Sequence, residues 1–151
     1  MHRLDTEKQI FFYENEFYVF SNYSSFTIEW KGSLYPTSEH VYHSEKFNDE
    51  NLKEQVRLAR SAHDSQKFAQ ANVDKYRKDW NQIRIGIMKD ILLVKVEQHP
   101  YVKKKLLESE NKELIEDSWR DSFWGWGPNK DGENRLGKLW MEIRNDFRNK
   151  E

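Results

Sequence analysis

Apolar positions along this chain change their spacing near residue 36. Before it, the aromatic runs IFFY (10–13) and FYVF (17–20) flank the polar ENE, which predicts strands joined as a hairpin. FTIEW (26–30) and SLY (33–35) flank Lys31 and Gly32, which predicts a second hairpin turn. After it, the spacing becomes helical. Pro36 stops the strand, and Thr37 or Ser38 can cap a helix running to about Phe47. Weaker helical patterns cover 51–60 and 64–73. The clearest helix runs from about Asp79 to Gln98, ended by His99 and Pro100. Its apolar stripe is Trp80, Ile83, Ile87, Met88, Ile91 and Val94.

The last third predicts a short helix over 101–109, whose Lys103–Lys105 run is a solvated face. A short strand at ELIED (113–117) and a glycine-rich loop over 124–137 follow. The final helix, about 135–149, puts Leu136, Leu139, Trp140, Ile143 and Phe147 on one face. The expected class is α+β, mostly helical, with a few short N-terminal strands and hairpins. No repeat, low-complexity stretch or Pro/Gly linker divides residues 1–151, so one domain is expected.

Composition narrows the possibilities. Charged residues at 34% against hydrophobic ones at 36% lean toward weak folding, but 15% aromatic content restores a core, because large rings bury much area each. A net charge of -1 argues against a strongly basic nucleic-acid binder. The absence of cysteine excludes disulfides and thiolate chemistry. MHRLDTEKQ lacks the apolar stretch of a signal peptide, and no apolar run approaches a membrane span of about 20 residues. A cytoplasmic protein without a membrane partner is the expectation.

Within this frame, YPTSEHVYHSEKF (35–47) concentrates titratable groups. Glu39, Tyr42, His43 and Lys46 recur at helical spacing and share one face. That is either a solvated charge stripe or one wall of an active site, where a carboxylate and a lysine shift each other's ionisation. Glu39, His40 and His43 do not have the order of a zinc-protease helix, and no third strong metal ligand lies nearby. Arg84 and Lys95 fall inside the apolar stripe of the long helix. Each needs an anionic partner, from the protein or from a ligand. In DSWRDSFWGWG (117–127), Asp117, Asp121 and Trp124 precede Gly125 and Gly127, which let backbone N–H groups approach a ligand. The alternative there is a structural turn with core tryptophans. Tryptophans beside acids also suit a stacked base or a ribosyl cation. DGENRLG leads into a helix start, a place that suits phosphate.

Taken in order, these segments resemble the NADAR family of N-glycosidases. The motifs are FSNY at 20, YPTSEHVYHSEKF at 35, DWNQIRIGIM at 79, QHP at 98, LIEDS at 114, DSFWGWG at 121 and GENRLGKLWMEIR at 132. The resemblance covers nearly the whole chain. It departs from the family pattern at SSFT (24–27), at His43, often glutamine in the family, and at SAHDSQKFAQA (61–71), which lacks an expected Gly-Arg. These departures bear on substrate identity more than on catalysis.

The resemblance implies cleavage of a C–N bond at a ribose C1. The substrate would be a phosphorylated riboflavin-pathway intermediate, or ADP-ribose attached to a base such as guanine in DNA. It implies Glu39 and Asp121 as the carboxylates and Lys46 as an alternative, Schiff-base-forming nucleophile. Trp80 and Trp124 would stack on the base or ribose, and Arg84 would grip phosphate. Ser21, Asn22 and Asn134 would orient hydroxyls or phosphate oxygens. Tyr42 would line the site, His43 would bear on substrate choice, and His40 would be structural. No metal or cofactor is required. Two rival readings remain: a non-catalytic reader of ADP-ribose or a nucleotide, and a nucleic-acid-binding module.

Overall fold

In the computed structural model, which describes residues 6–12 and 18–150, four short strands and six helices form two compact units. One unit is Asn22–His99. The other joins the chain up to Ser21 with the chain from Pro100 onward. No helix among the described residues is long and apolar enough to cross a membrane.

The central unit begins with an antiparallel pair, β1 (Ile28–Trp30) and β2 (Ser33–Tyr35), in the register Ile28 to Tyr35 and Trp30 to Ser33. Both turn residues are left-handed, Lys31 at φ 50° and Gly32 at φ 84°, as a two-residue turn matched to strand twist requires. Helix α1 (Ser38–Ser44) is capped by Thr37, whose hydroxyl accepts the His40 N–H. It packs against α2 (Glu50–Arg57), α3 (Ala62–Ala71) and α4 (Trp80–Gln98). Phe47, Val56 and Ala69 form a local core, with Leu52, Phe68 and Tyr76 against it.

Helix α4 has the expected bounds but buries a different face. Trp80, Met88, Ile91, Leu92, Lys95 and Val96 are buried, whereas Ile83, Ile87 and Val94 of the expected stripe are only half-buried. Aliphatic residues occur on nearly every side of this helix between 83 and 96, so spacing does not select a face. Contacts with α1 and β1 do.

In the unit made from the two ends, the described part of IFFY does not enter a hairpin. Strand β3 (Gln9–Phe12) pairs in parallel with β4 (Glu113–Glu116), Gln9 against Glu113 through Phe12 against Glu116. Tyr18–Phe20 forms a 3-10 turn instead of a strand. Tyr13 to Phe17 lie outside the described residues. Ile10, Phe11 and Phe12 are all buried, so both faces of β3 are covered, which suits a parallel strand better than a one-sided hairpin. Helix α5 (Pro100–Glu108) opens on its proline, where the missing N–H is no loss. Helix α6 (Arg135–Asn149) packs on β4. A Cβ on Gly137 would lie 2.0 Å from the Leu114 carbonyl, so only glycine permits that approach. The Trp140 indole N–H donates to the Phe20 carbonyl at 3.0 Å, and the two rings pack at 5.1 Å.

Candidate active site

The opening turn of α1 is pinned by Asn22. Its carbonyl accepts the Glu39 N–H at 3.0 Å, its Oδ1 accepts the Ser38 hydroxyl at 3.0 Å, and its Nδ2 reaches Met88 Sδ on α4 at 3.4 Å. This fixes the face that carries Glu39, Tyr42 and His43. Past the helix end the chain tightens: Lys46 N–H donates to the His43 carbonyl at 3.3 Å and Phe47 N–H to the Ser44 carbonyl at 3.2 Å. Lys46 therefore stays on the same side although α1 has ended. Its neighbour Glu45 turns away, accepting from the Trp30 indole at 2.7 Å and pairing with Lys31 at 3.0 Å.

Lys46 is 9% exposed. Its Nζ lies 3.4 Å from the Tyr76 hydroxyl, 5.0 Å from the Tyr76 ring centre and 5.2 Å from that of Tyr42. Tyr42 in turn packs on Trp80 at 5.1 Å. Burial among these rings lowers the Lys46 pKa to about 8, with the Glu39 charge opposing the shift and the Arg84 charge adding to it. Glu39, Lys46 and Arg84 thus share one electrostatic neighbourhood. At pH 7 such an amine is neutral about a tenth of the time, against roughly 0.03% for an ordinary lysine.

His43 is 4% exposed and stands edge-on to Tyr42 at 5.3 Å. Its Nε2 is 3.3 Å from Glu39 Oε1, close enough for an ion pair, yet neither ring nitrogen has a hydrogen-bond partner. The pair therefore lies within ion-pair distance without meeting hydrogen-bond geometry. His40 is its opposite. Its Nδ1 meets the Thr37 hydroxyl at 2.8 Å and its Nε2 the Ala59 carbonyl at 3.1 Å. A carbonyl only accepts, so Nε2 carries the proton and Nδ1 accepts from Thr37. Burial lowers its pKa. Its role is structural.

Ser21, Asp121, Trp124, Gly125 and Asn134 lie in the unit of the chain ends. Asp121 Oδ1 accepts the N–H groups of Phe123 and Trp124, both at 2.8 Å, which closes a tight turn. Trp124 is buried edge-on to Phe123 at 4.9 Å. A Cβ on Gly125 would crowd the Glu116 and Asp121 carbonyls at 2.8 and 3.0 Å. Asn134 is left-handed at φ 49° and acts as a substitute strand partner: its Oδ1 accepts the Glu116 N–H and its Nδ2 donates to the Leu114 carbonyl, each at 2.9 Å. Ser21 is buried, its N–H bonded to the Tyr18 carbonyl at 2.8 Å. Asp117 accepts from the Trp126 indole at 2.9 Å. Among the described residues, no three His, Asp or Glu gather as a metal site.

The structure thus brings Asn22, Glu39, Tyr42, His43, Lys46, Trp80 and Arg84 together in the central unit. Tyr76 belongs with them and was not singled out from sequence. It lies 30 residues from Lys46 in a segment without helical period, so no spacing signals the contact.

The fold and the ordered motifs place the chain in a family: the NADAR domain model matches residues 11–148, spanning both units, and the chain belongs to that family. Among curated relatives, the N-glycosidase YbiA of Shigella boydii is 35% identical over 83% of this chain and 78% of its own length. An N-glycosidase of Nostoc punctiforme is 32% identical over 93% of both chains. A riboflavin biosynthesis protein of Vibrio vulnificus is 34% identical over 93% of this chain but 39% of that longer one. The solution structure of Escherichia coli YbiA superposes with a TM-score of 0.87 at 31% identity, covering 97% of this chain and 89% of that one.

Proposed function

We propose that this protein is an N-glycosidase that hydrolyses the bond between a ribosyl C1 and a nitrogenous base, with Lys46 as nucleophile and Glu39 as acid and base. The observation that carries this reading is the Lys46 amine, desolvated to a pKa of about 8 between two tyrosine rings and within the field of Glu39. A structural surface lysine keeps its charge in water; this one is held where the neutral amine is accessible at physiological pH.

In the proposed reaction, Glu39 takes a proton from the Lys46 ammonium, and the neutral amine so formed attacks C1 as the C–N bond breaks. The departing nitrogen takes a proton from Glu39. The secondary ammonium of the adduct then passes a proton through Glu39 to the ring oxygen, and the ring opens to an iminium. Water then adds at C1, Glu39 accepts a proton, and loss of the sugar restores the amine, for a net consumption of one water. Arg84 suits a phosphate on the ribosyl group, and Trp80 with Tyr42 suits the base or ribose face.

The Vibrio vulnificus relative named for riboflavin biosynthesis favours a phosphorylated ribosyl intermediate of that pathway as substrate. ADP-ribosyl guanine in DNA is the comparison arm. The test incubates the protein with each and follows ribosyl product by mass spectrometry, with borohydride added to trap the iminium. Turnover with a borohydride-stable adduct on the Lys46 peptide is expected. Binding without product from either substrate would instead identify a nucleotide reader, and turnover without adduct would indicate direct hydrolysis.

A further inference from the structure

The segment after α3 meets Lys46 at both its ends. Arg77 N–H donates to the Lys46 carbonyl at 2.7 Å, and the Tyr76 hydroxyl stands 3.4 Å from Nζ. Tyr76 is itself anchored. Its N–H donates to the Val73 carbonyl at 3.2 Å, at the end of a 3-10 turn, and its ring meets Phe47 edge-on at 5.4 Å. Phe47 is the residue after Lys46 and is fully buried in the local core of Val56 and Ala69. Backbone, amine and ring are thus referenced to one rigid patch.

We propose that Tyr76 positions the Lys46 amine, gripping Nζ with its hydroxyl and walling it from water with its ring; this rests on the reading of Lys46 as the nucleophile. A lysine side chain is long and freely rotating, and attack at C1 requires it in one narrow geometry. A single hydrogen bond from an amine N–H to the phenol oxygen removes much of that freedom. It leaves the nitrogen lone pair directed elsewhere, available to carbon. Burial raises the Tyr76 pKa, so the phenol stays neutral and adds no charge that would hold the amine protonated. The charged groups that act on Lys46 are Glu39 on α1 and Arg84 on α4. The rings that wall it are Tyr42 and Tyr76.

Two variants separate the grip from the wall. Tyr76→Phe keeps the ring and its packing on Phe47. Its kcat is expected to fall about tenfold at unchanged KM, with the Lys46 titration midpoint unmoved. Tyr76→Leu keeps an apolar side chain for the core but uncovers the amine. Its midpoint, followed by NMR of the Lys46 side-chain nitrogen in lysine-labelled protein assigned with Lys46→Arg, is expected to rise by about one pH unit toward the ordinary lysine value. A merely structural tyrosine would leave that midpoint alone. Wild-type kcat in the first variant together with a wild-type midpoint in the second overturns the proposal. Lys46→Ala with wild-type turnover sinks the nucleophile reading instead, whatever Tyr76 does.

Discussion

Glu39 and His43 face each other across one turn of α1, Oε1 to Nε2 at 3.3 Å, and the buried imidazole makes no hydrogen bond. Leaving a buried ring nitrogen unbonded costs about 1–3 kcal/mol, so a purely structural position would not favour histidine. We expect His43→Leu to hold or raise stability, by about 1 kcal/mol, while turnover falls at least tenfold. Urea denaturation and steady-state kinetics on the same preparation check this. Marked destabilisation with intact activity would make His43 a packing residue.

The charges around Lys46 act in opposite directions. The Glu39 carboxylate raises its pKa and the Arg84 guanidinium lowers it. Glu39→Gln should therefore move the Lys46 midpoint below about 8, and Arg84→Met should move it above. Side-chain NMR titration reads both without any substrate. Shifts in the reverse order would contradict the site's electrostatics.

The shared face of the candidate site was legible in the sequence, and the reason is helical periodicity. Glu39, Tyr42 and His43 lie on one continuous helix, and the Thr37 cap fixes where it begins, so spacing alone placed them on one face, as a solvated stripe or as a site wall. The hairpin at Lys31–Gly32 and the limits of α4 were legible because turn residues and prolines are local signals. The parallel pairing of β3 with β4 was not, since it joins strands about a hundred residues apart and local aromatic runs carry no record of partner or direction. The buried face of α4 was hidden because its aliphatic residues surround the helix. Tyr76 was hidden because its contact with Lys46 is tertiary. In the glycine-rich loop the residue types were visible, but not that Asp121 and Asn134 spend their side chains on backbone groups.

Lys95 supplies a prediction about stability. It is fully buried, its Nζ donates to the Ser24 hydroxyl at 3.0 Å and lies 5.3 Å from the Phe26 ring, and burial lowers its pKa from 10.5 to about 7. Between those values the unfolded chain binds a proton that the folded chain does not, so this group makes stability rise with pH. Below pH 7 both states are protonated and the penalty is fully present. Lys95→Met removes this contribution. Between pH 6 and pH 9, wild-type protein should gain on the order of 2–3 kcal/mol relative to the variant, other groups cancelling in the comparison. Urea unfolding of both proteins at the two pH values measures it. Parallel pH dependences would show that Lys95 keeps its charge in the fold.

Asp121 tests whether a carboxylate is needed for its charge or for its shape. Its Oδ1 accepts two adjacent backbone N–H groups at 2.8 Å each, and the amide oxygen of asparagine can do the same without charge. Asp121→Ala cannot, and it leaves two turn N–H groups without this acceptor, a loss of about 1–2 kcal/mol by analogy with helix-cap deletions. We expect Asp121→Asn to keep wild-type stability and activity within about threefold, and Asp121→Ala to lower the unfolding midpoint with kcat reduced only as far as the folded fraction falls. The pair is informative because each variant isolates one property. If Asp121→Asn folds like wild type but loses a hundredfold or more in kcat, the charge acts in the chemistry and Asp121 joins Glu39 as a working carboxylate.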